Sequence, residues 1–288
     1  MSDHRIIWLA SYPKSGNTWV RSFLATYFLP PEQAPDINTL RRFTTGDVRA
    51  DFYETASGRT PFQAKDFDEW LRIRQKALLL IARSKPTQHF VKTHSRLGSI
   101  GVYPLIPPGL TAGALYLIRN PFDVCQSYSR HLGLSVDKTI DIMLNPEAKN
   151  ASPAGIFEVV GRWDDHIASW TGAPGLQHHV MRYEDMIAAT DATFRALIAF
   201  FGLTLDKAAF RRAMAATSFD ALKRQEEEKG FIERPAHMKS FFAKGQVGSW
   251  RDTLSPAQVA RLSTGFAPTI ARYWPEMQAE VDAVAAKA

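Results

Sequence analysis

Cysteine is nearly absent from this 288-residue chain. Cys125 is the only one, so no intramolecular disulfide can form, and the expected location is a reducing one, the cytoplasm. No apolar run reaches membrane-spanning length, and the N-terminal run Ile6 to Ala10 is too short for a signal peptide. A soluble protein without a membrane span is the expectation. No block of five basic residues occurs. The 35 Lys and Arg against 29 Asp and Glu give a scattered net charge of +6, which favours anionic ligands and argues against a nucleic-acid footprint. The Gly-x-Ser-x-Gly, Gly-x-Gly-x-x-Gly and His-Glu-x-x-His patterns are missing. The eight histidines are dispersed, and adjacent His178 and His179 face opposite sides of a strand, so no metal is expected.

What is present is core material and a strand-helix alternation. With 45% hydrophobic residues the chain can build one substantial core. We expect a single domain over 1–288 with insertions around 36–86, 133–160 and 223–243. Apolar, β-prone segments recur at Arg5 to Ala10, His89 to Thr93, Ala114 to Ile118 and His179 to Tyr183. Helical patterns follow the first, third and fourth, at Trp19 to Leu29, Pro121 to Leu132 and Ala192 to Phe201. The fold class is therefore α/β, a parallel central sheet flanked by helices, with its site where the loops at Tyr12, His94 and Arg119 converge beyond the strand ends.

Other stretches read as irregular. Pro30 to Asp36 breaks the first helix with three prolines. Phe43 to Phe67 lacks periodicity, and its aromatics Phe43, Phe52, Tyr53, Phe62 and Phe67 read first as core packing of an insertion, with an acceptor-pocket lining as the alternative. Asn145 to Phe157 is a third such region. Lys223 to Lys239 reads as a charged loop with Glu226, Glu227 and Glu228 on a solvated face. Ser255-Pro256 reads as an N-cap and first helical position, and Trp274-Pro275 interrupts or ends the helix that follows.

Three constellations carry chemistry. The first is Ser11-Tyr-Pro-Lys-Ser-Gly-Asn-Thr18, a loop that joins a strand to a helix N-terminus. There backbone N–H groups and the helix dipole favour an anion such as phosphate. Lys14 adds a mobile charge, Ser15 and Thr18 add hydroxyls, and Gly16 permits close backbone approach. The loop is P-loop-like but not a P-loop, because Lys14 precedes its one glycine. The second is Val91-Lys-Thr-His94, a strand end that delivers His94 beside Lys92. The third is Tyr116-Leu-Ile-Arg-Asn-Pro-Phe-Asp-Val-Cys-Gln-Ser127, with Arg119 at a strand end and Ser127 eight residues on. An Arg fork suits a phosphate dianion, whereas an Arg119–Asp123 ion pair is the structural alternative.

Together these segments resemble the cytosolic-type sulfotransferases, from roughly Ile6 to Arg251. The likeness runs through Tyr12-Pro-Lys-Ser-Gly-Asn-Thr-Trp19, with Asn17 where the family usually has Thr. It continues through Lys-Thr-His94 and the Arg119 to Ser127 spacing to Tyr183-Glu-Asp185, Thr217-Ser-Phe219 and Lys244-Gly-Gln-Val-Gly-Ser-Trp-Arg251. Trp163 to Trp170, with His166, is similar to a helix the family places between its donor motifs, and equally reads as amphipathic core.

The resemblance implies a donor, 3′-phosphoadenosine 5′-phosphosulfate (PAPS), and a product nucleotide, 3′-phosphoadenosine 5′-phosphate (PAP). It implies in-line sulfuryl transfer to a hydroxyl or amine of a small-molecule acceptor, with no metal. Lys14 would contact the bridging and leaving oxygens, Ser15, Gly16, Asn17 and Thr18 would hold the 5′-phosphate, and Trp19 would stack on adenine. His94 would be the base, supported by Lys92. Arg119, Ser127, Lys244 and Gly245 would bind the 3′-phosphate, with Tyr183, Thr217 and Phe219 near the nucleotide. Two departures stand out. Ala243 replaces a usual arginine, with Lys239 and Arg234 as candidate substitutes, and Phe122 replaces a common lysine. An atypical P-loop kinase and a non-catalytic nucleotide- or RNA-binding protein are the alternatives. Acceptor and oligomeric state are not legible.

Overall fold

The computed structural model describes residues 4–243 and 245–288. In chain order the strands are β1 (Ile6–Ser11), β2 (Thr45–Gly46), β3 (His89–Thr93), β4 (Ser99–Ile100), β5 (Tyr103–Pro104), β6 (Thr111–Ile118), β7 (Lys149–Ala151), β8 (Phe157–Val159) and β9 (His178–Arg182). Five of them form one sheet in the order β2-β3-β1-β6-β9, with every neighbouring pair parallel. β4 pairs with β5, and β7 with β8, as antiparallel ribbons.

The helices begin with α1 (Asn17–Phe28), α2 (Ala50–Ser57), α3 (Phe67–Arg83), α4 (Pro121–Leu132), α5 (Val136–Leu144) and α6 (Trp163–Thr171). They continue with α7 (Tyr183–Ala188), α8 (Thr190–Phe200), α9 (Lys207–Ala216), α10 (Phe219–Lys229), α11 (Pro256–Tyr273) and α12 (Gln278–Ala285). Side chains of a strand alternate between its two faces, so both faces of this sheet need cover. Trp8, Ala10, Ala114, Tyr116 and Ile118 face the layer of α3, α4, α6 and α11. Leu9, Leu115 and Leu117 face the layer of α1, α8 and α9 through Phe23, Phe194 and Phe210.

The sequence reading placed four of the five sheet strands to within a few residues. It missed β2, which is two residues long and carries no alternation. α2 occupies part of the stretch read as irregular, and α10 takes up residues 223–229 of the expected charged loop, while 230–239 is loop. Glu226 is a correction: it is buried, not solvated. Its carboxylate accepts from the backbone N–H groups of Phe241 (2.7 Å) and Phe242 (2.9 Å). The aromatics of the 43–67 stretch are core: Tyr53 and Phe62 are buried against each other, and Phe43 packs on Phe28 and Phe90. Ser255 does cap α11, reciprocally with Gln258, and Trp274 ends it.

Candidate active site

β1 runs into Lys14, which is in the left-handed region at φ 70°, and then Gly16 at φ 98°. A Cβ at Gly16 would come within 2.9 Å of the Tyr183 ring, so glycine is required both by conformation and by space. No side chain caps α1, which leaves its first-turn N–H groups to a ligand. The Ser15 hydroxyl beside them is buried and has no partner among the described residues. A buried hydroxyl unpaired next to a free helix N-terminus fits a phosphate oxygen. Asn17 turns away from this spot, its amide donating to the Leu9 carbonyl (3.0 Å) and the Ser11 hydroxyl (3.3 Å).

The third motif is wired to both its neighbours. Asn120 caps α4 by accepting from the Asp123 N–H (2.9 Å), a contact worth about 1 kcal/mol. Glu184, one residue beyond Tyr183, accepts from the Asn120 backbone N–H (3.0 Å) and side-chain amide (2.7 Å). Asp123 accepts from the N–H groups of Gly248 (2.8 Å) and Trp250 (3.2 Å), so the late glycine loop is pinned to the start of α4. That leaves Arg119 only a 3.9 Å contact with Asp123. Arg119 instead donates to the carbonyls of Lys14 (3.3 Å) and Gln246 (3.1 Å) and stacks 4.2 Å from the Tyr183 ring centre. Its Nε has no partner among the described residues.

β3 lies beside β1 with Thr93 opposite Ala10, which brings His94 next to the loop that follows β1. The Thr93 hydroxyl donates to Asp47 (2.8 Å), itself paired with buried Arg74 (2.6 Å). This fixes the strand end. His94 Nδ1 lies 2.8 Å from the Ser11 carbonyl oxygen; since a carbonyl only accepts, Nδ1 carries the proton and Nε2 is left with a lone pair. The His94 carbonyl in turn accepts from His166 Nε2 (3.2 Å), while His166 Nδ1 accepts from the Tyr116 hydroxyl (2.7 Å). Buried His166, pushed down to about 3 chiefly by burial, is neutral and props the backbone of His94. Burial, then the charge of Lys92, holds His94 well below the ordinary histidine range. Burial, then Arg119 and Lys92, brings Lys14 down to about 7, and its Nζ rests 3.8 Å above the Phe241 ring.

One cavity of about 890 Å³ gathers most of the expected residues: Lys14, Gly16, Asn17, Thr18, Trp19, Lys92, His94, Arg119, Ser127, Tyr183, Phe219 and Gly245 all line it. Ser15 lies beneath its wall. Thr217 is not brought in: its hydroxyl donates to the Ala213 carbonyl (2.8 Å), and it lines a second, smaller cavity. Lys244 lies outside the described residues. Neither candidate substitute for the arginine missing at Ala243 reaches the cavity, which is a further correction. Arg234 is held by Glu226 (3.3 Å) and the Lys239 carbonyl (2.8 Å), and Lys239 is exposed.

Sequence reasoning missed Glu233, which lines the cavity and pairs with Arg21 of α1 (2.9 Å). No local pattern marks a partner so distant in sequence. The cavity is also lined by Tyr128, His131 and Leu132 of α4, and by Ile142, Asn150, Glu158, Phe241 and Phe242 from stretches expected to be insertions.

A family model described as the sulfotransferase domain matches residues 4–274. The chain belongs to the sulfotransferase family. This sulfotransferase is 23% identical over 272 residues to sulfotransferase 1C2 of Homo sapiens, covering 88% of the chain and 79% of that protein. It is 27% identical over 263 residues to cytosolic sulfotransferase 1 of Arabidopsis thaliana, covering 86% and 73%. Its fold is that of mouse sulfotransferase SULT7A1, solved as a complex with PAP (TM-score 0.60, 18% identity, 93% and 85% covered). It is likewise that of retinol dehydratase, solved with retinol and PAP (TM-score 0.63, 19% identity, 94% and 82% covered). Among the described residues, no helix is long and apolar enough to cross a membrane.

Proposed function

We propose that this sulfotransferase moves the sulfuryl group of PAPS to a hydroxyl or amine of a small-molecule acceptor, by in-line displacement with His94 as the base. The observation that carries the reading is that the free nitrogen of His94 and the ammonium of Lys14 come off adjacent strand ends into one cavity. His94 removes the acceptor proton through Nε2, in the tautomer that its bond to Ser11 favours. Lys14 stabilises the charge that grows on the leaving phosphate, an interaction stronger in the transition state than before it. Lys92 adds positive potential beside the base. No covalent intermediate is needed, and positioning with charge stabilisation accounts for most of the acceleration, as in phosphoryl transfer.

The donor reading is supported by the uncapped start of α1, the unpaired Ser15 hydroxyl, and the fork of Arg119 reaching the same cavity as Ser127. Trp19 and Phe219 offer aromatic surface for adenine. With Ala243 in place of an arginine, about 1.5–3 kcal/mol of donor affinity is lost unless another cation makes up the contact. Calorimetric titration with PAP, ATP and AMP tests the donor, and mass detection of a sulfated product from PAPS tests the transfer. Tight binding that requires the 3′-phosphate supports the reading, and a preference for ATP defeats it.

A further inference from the structure

One face of α4 runs along the edge of the cavity. Asp123, Ser127 and Arg130 follow one another on that helix at spacings of four and three, so their side chains lie one above another. Around Asp123 the chain from Gly248 to Trp250 is tied down, with the N–H groups of Gly248 and Trp250 on the Asp123 carboxylate and the Ser249 hydroxyl on Gln126. Further along the helix, an earlier part of the same chain closes on Arg130. The Arg130 guanidinium donates to the Ser240 carbonyl (3.4 Å), and its backbone carbonyl accepts from His237 Nε2 (3.1 Å). Ser127 of the helix and Ala243 of the chain fall between these two ties, and both line the cavity. Arg130 is exposed and makes no ion pair among the described residues, and its 3.4 Å bond is a long one. Its charge still reaches Lys14, where it adds to burial, Arg119 and Lys92 in lowering the ammonium. A cation without a counter-ion thus stands one turn from Ser127.

We propose that Arg130 grips the 3′-phosphate of the donor nucleotide from α4, in place of the arginine that position 243 lacks. Side chains three apart on a helix have Cβ atoms about 5–6 Å from each other, so an anion on the Ser127 hydroxyl is within reach of the Arg130 guanidinium. The guanidinium fork meets two oxygens of a phosphate dianion at once. Exchanging a long bond to a neutral carbonyl for that charge-assisted contact favours the bound state. Arg119 already divides its guanidinium between the carbonyls of Lys14 and Gln246, which leaves the second cation of the site to α4. The identity of the anion rests on the PAPS reading.

The test is calorimetric titration of the full chain with PAP and with ADP, which carries its second phosphate on the 5′ side. Arg130→Ala should weaken PAP binding by about tenfold or more, as loss of a charge-assisted contact implies, and leave ADP within about twofold. Because the side chain is exposed, the variant should melt within a few degrees of the parent. Adding Ala243→Arg to Arg130→Ala, as a second variant, should return PAP to within about threefold of the parent affinity, since the lost contact is then supplied from the other side. A PAP affinity unchanged in Arg130→Ala, a parallel loss for ADP, or no recovery in the double variant overturns the assignment and leaves the PAPS reading standing. No preference for PAP over ADP in the unaltered protein overturns both.

Discussion

Arg21 and Glu233 are 212 residues apart in sequence, and the Arg21 guanidinium donates to both carboxylate oxygens of Glu233, at 2.9 and 3.1 Å. Arg21 is one turn into α1, the helix that follows the Tyr12 to Gly16 loop, and also donates to the Thr44 hydroxyl (2.9 Å). The pair thus ties the segment that ends in Phe241 and Phe242 to the helix beneath Lys14.

Breaking that tie should cost stability. The Arg21 side chain is 3% exposed and that of Glu233 32%, so Glu233→Gln leaves a buried guanidinium with a weaker partner. We expect a loss of about 1–3 kcal/mol in urea unfolding at pH 7, below the cost for a fully buried pair. Burial raises the Glu233 carboxyl, and Lys92 and Arg21 outweigh it, so the group sits below the ordinary glutamate range. A lowered carboxyl stabilises above its unfolded pKa and loses that contribution as pH falls through the folded one. The gap between the two proteins should therefore close in acid. Equal stability at pH 7 would show the pair to be inconsequential.

His94→Gln should lower kcat for sulfuryl transfer by about 10²–10⁴ while PAP affinity stays within about twofold. Because burial and Lys92 keep the imidazole neutral well below the ordinary range, the acid limb of kcat/KM should fall well below pH 6.5. An acid limb at or above that pH, abolished in the variant, contradicts the environment described here.

Lys14 near 7 is mostly uncharged at pH 8 in the ligand-free chain, and a polyanion beside it favours the charged form. PAP binding at pH 8 should then take up protons, seen as a dependence of binding enthalpy on buffer ionisation. The uptake should fade at pH 6 and vanish in Lys14→Met. Buffer-independent enthalpies at pH 8 would argue that the lysine is already charged.

Gly245 has φ 58°, and a Cβ there would come within 2.3 Å of the Phe219 ring. Gly245→Ala should displace that ring and weaken PAP binding by about tenfold or more, with a thermal midpoint within a few degrees of the parent. Unchanged affinity would remove Phe219 and Gly245 from the nucleotide site.

Much of the local structure around Lys14 and Arg119 was legible because its signals are local. Pro121 after Asn120 specifies a helix start, and glycine at position 16 answers a backbone demand within a few residues of Lys14. Asn17 shows where such reading stops: its place in the loop was plain, but whether its amide faces the ligand or β1 depends on the Leu9 carbonyl and the Ser11 hydroxyl. Glu226 was misread because a run of three glutamates looks solvated until the Phe241 and Phe242 N–H groups need an acceptor.

Local sequence signals set the alternating strands and helices, the loop that joins β1 to a helix N-terminus, and the basic and imidazole groups at successive strand ends. These follow from side-chain period, caps and spacing, which act within a turn or two of the chain. Tertiary structure alone decided which carboxylates face the cavity, that His166 supports His94 from the core, and that residues from 128–158 rather than 43–67 line the cavity. Those outcomes depend on contacts between segments tens to hundreds of residues apart, where burial and the need to pair every buried polar group choose among side chains that look alike in sequence.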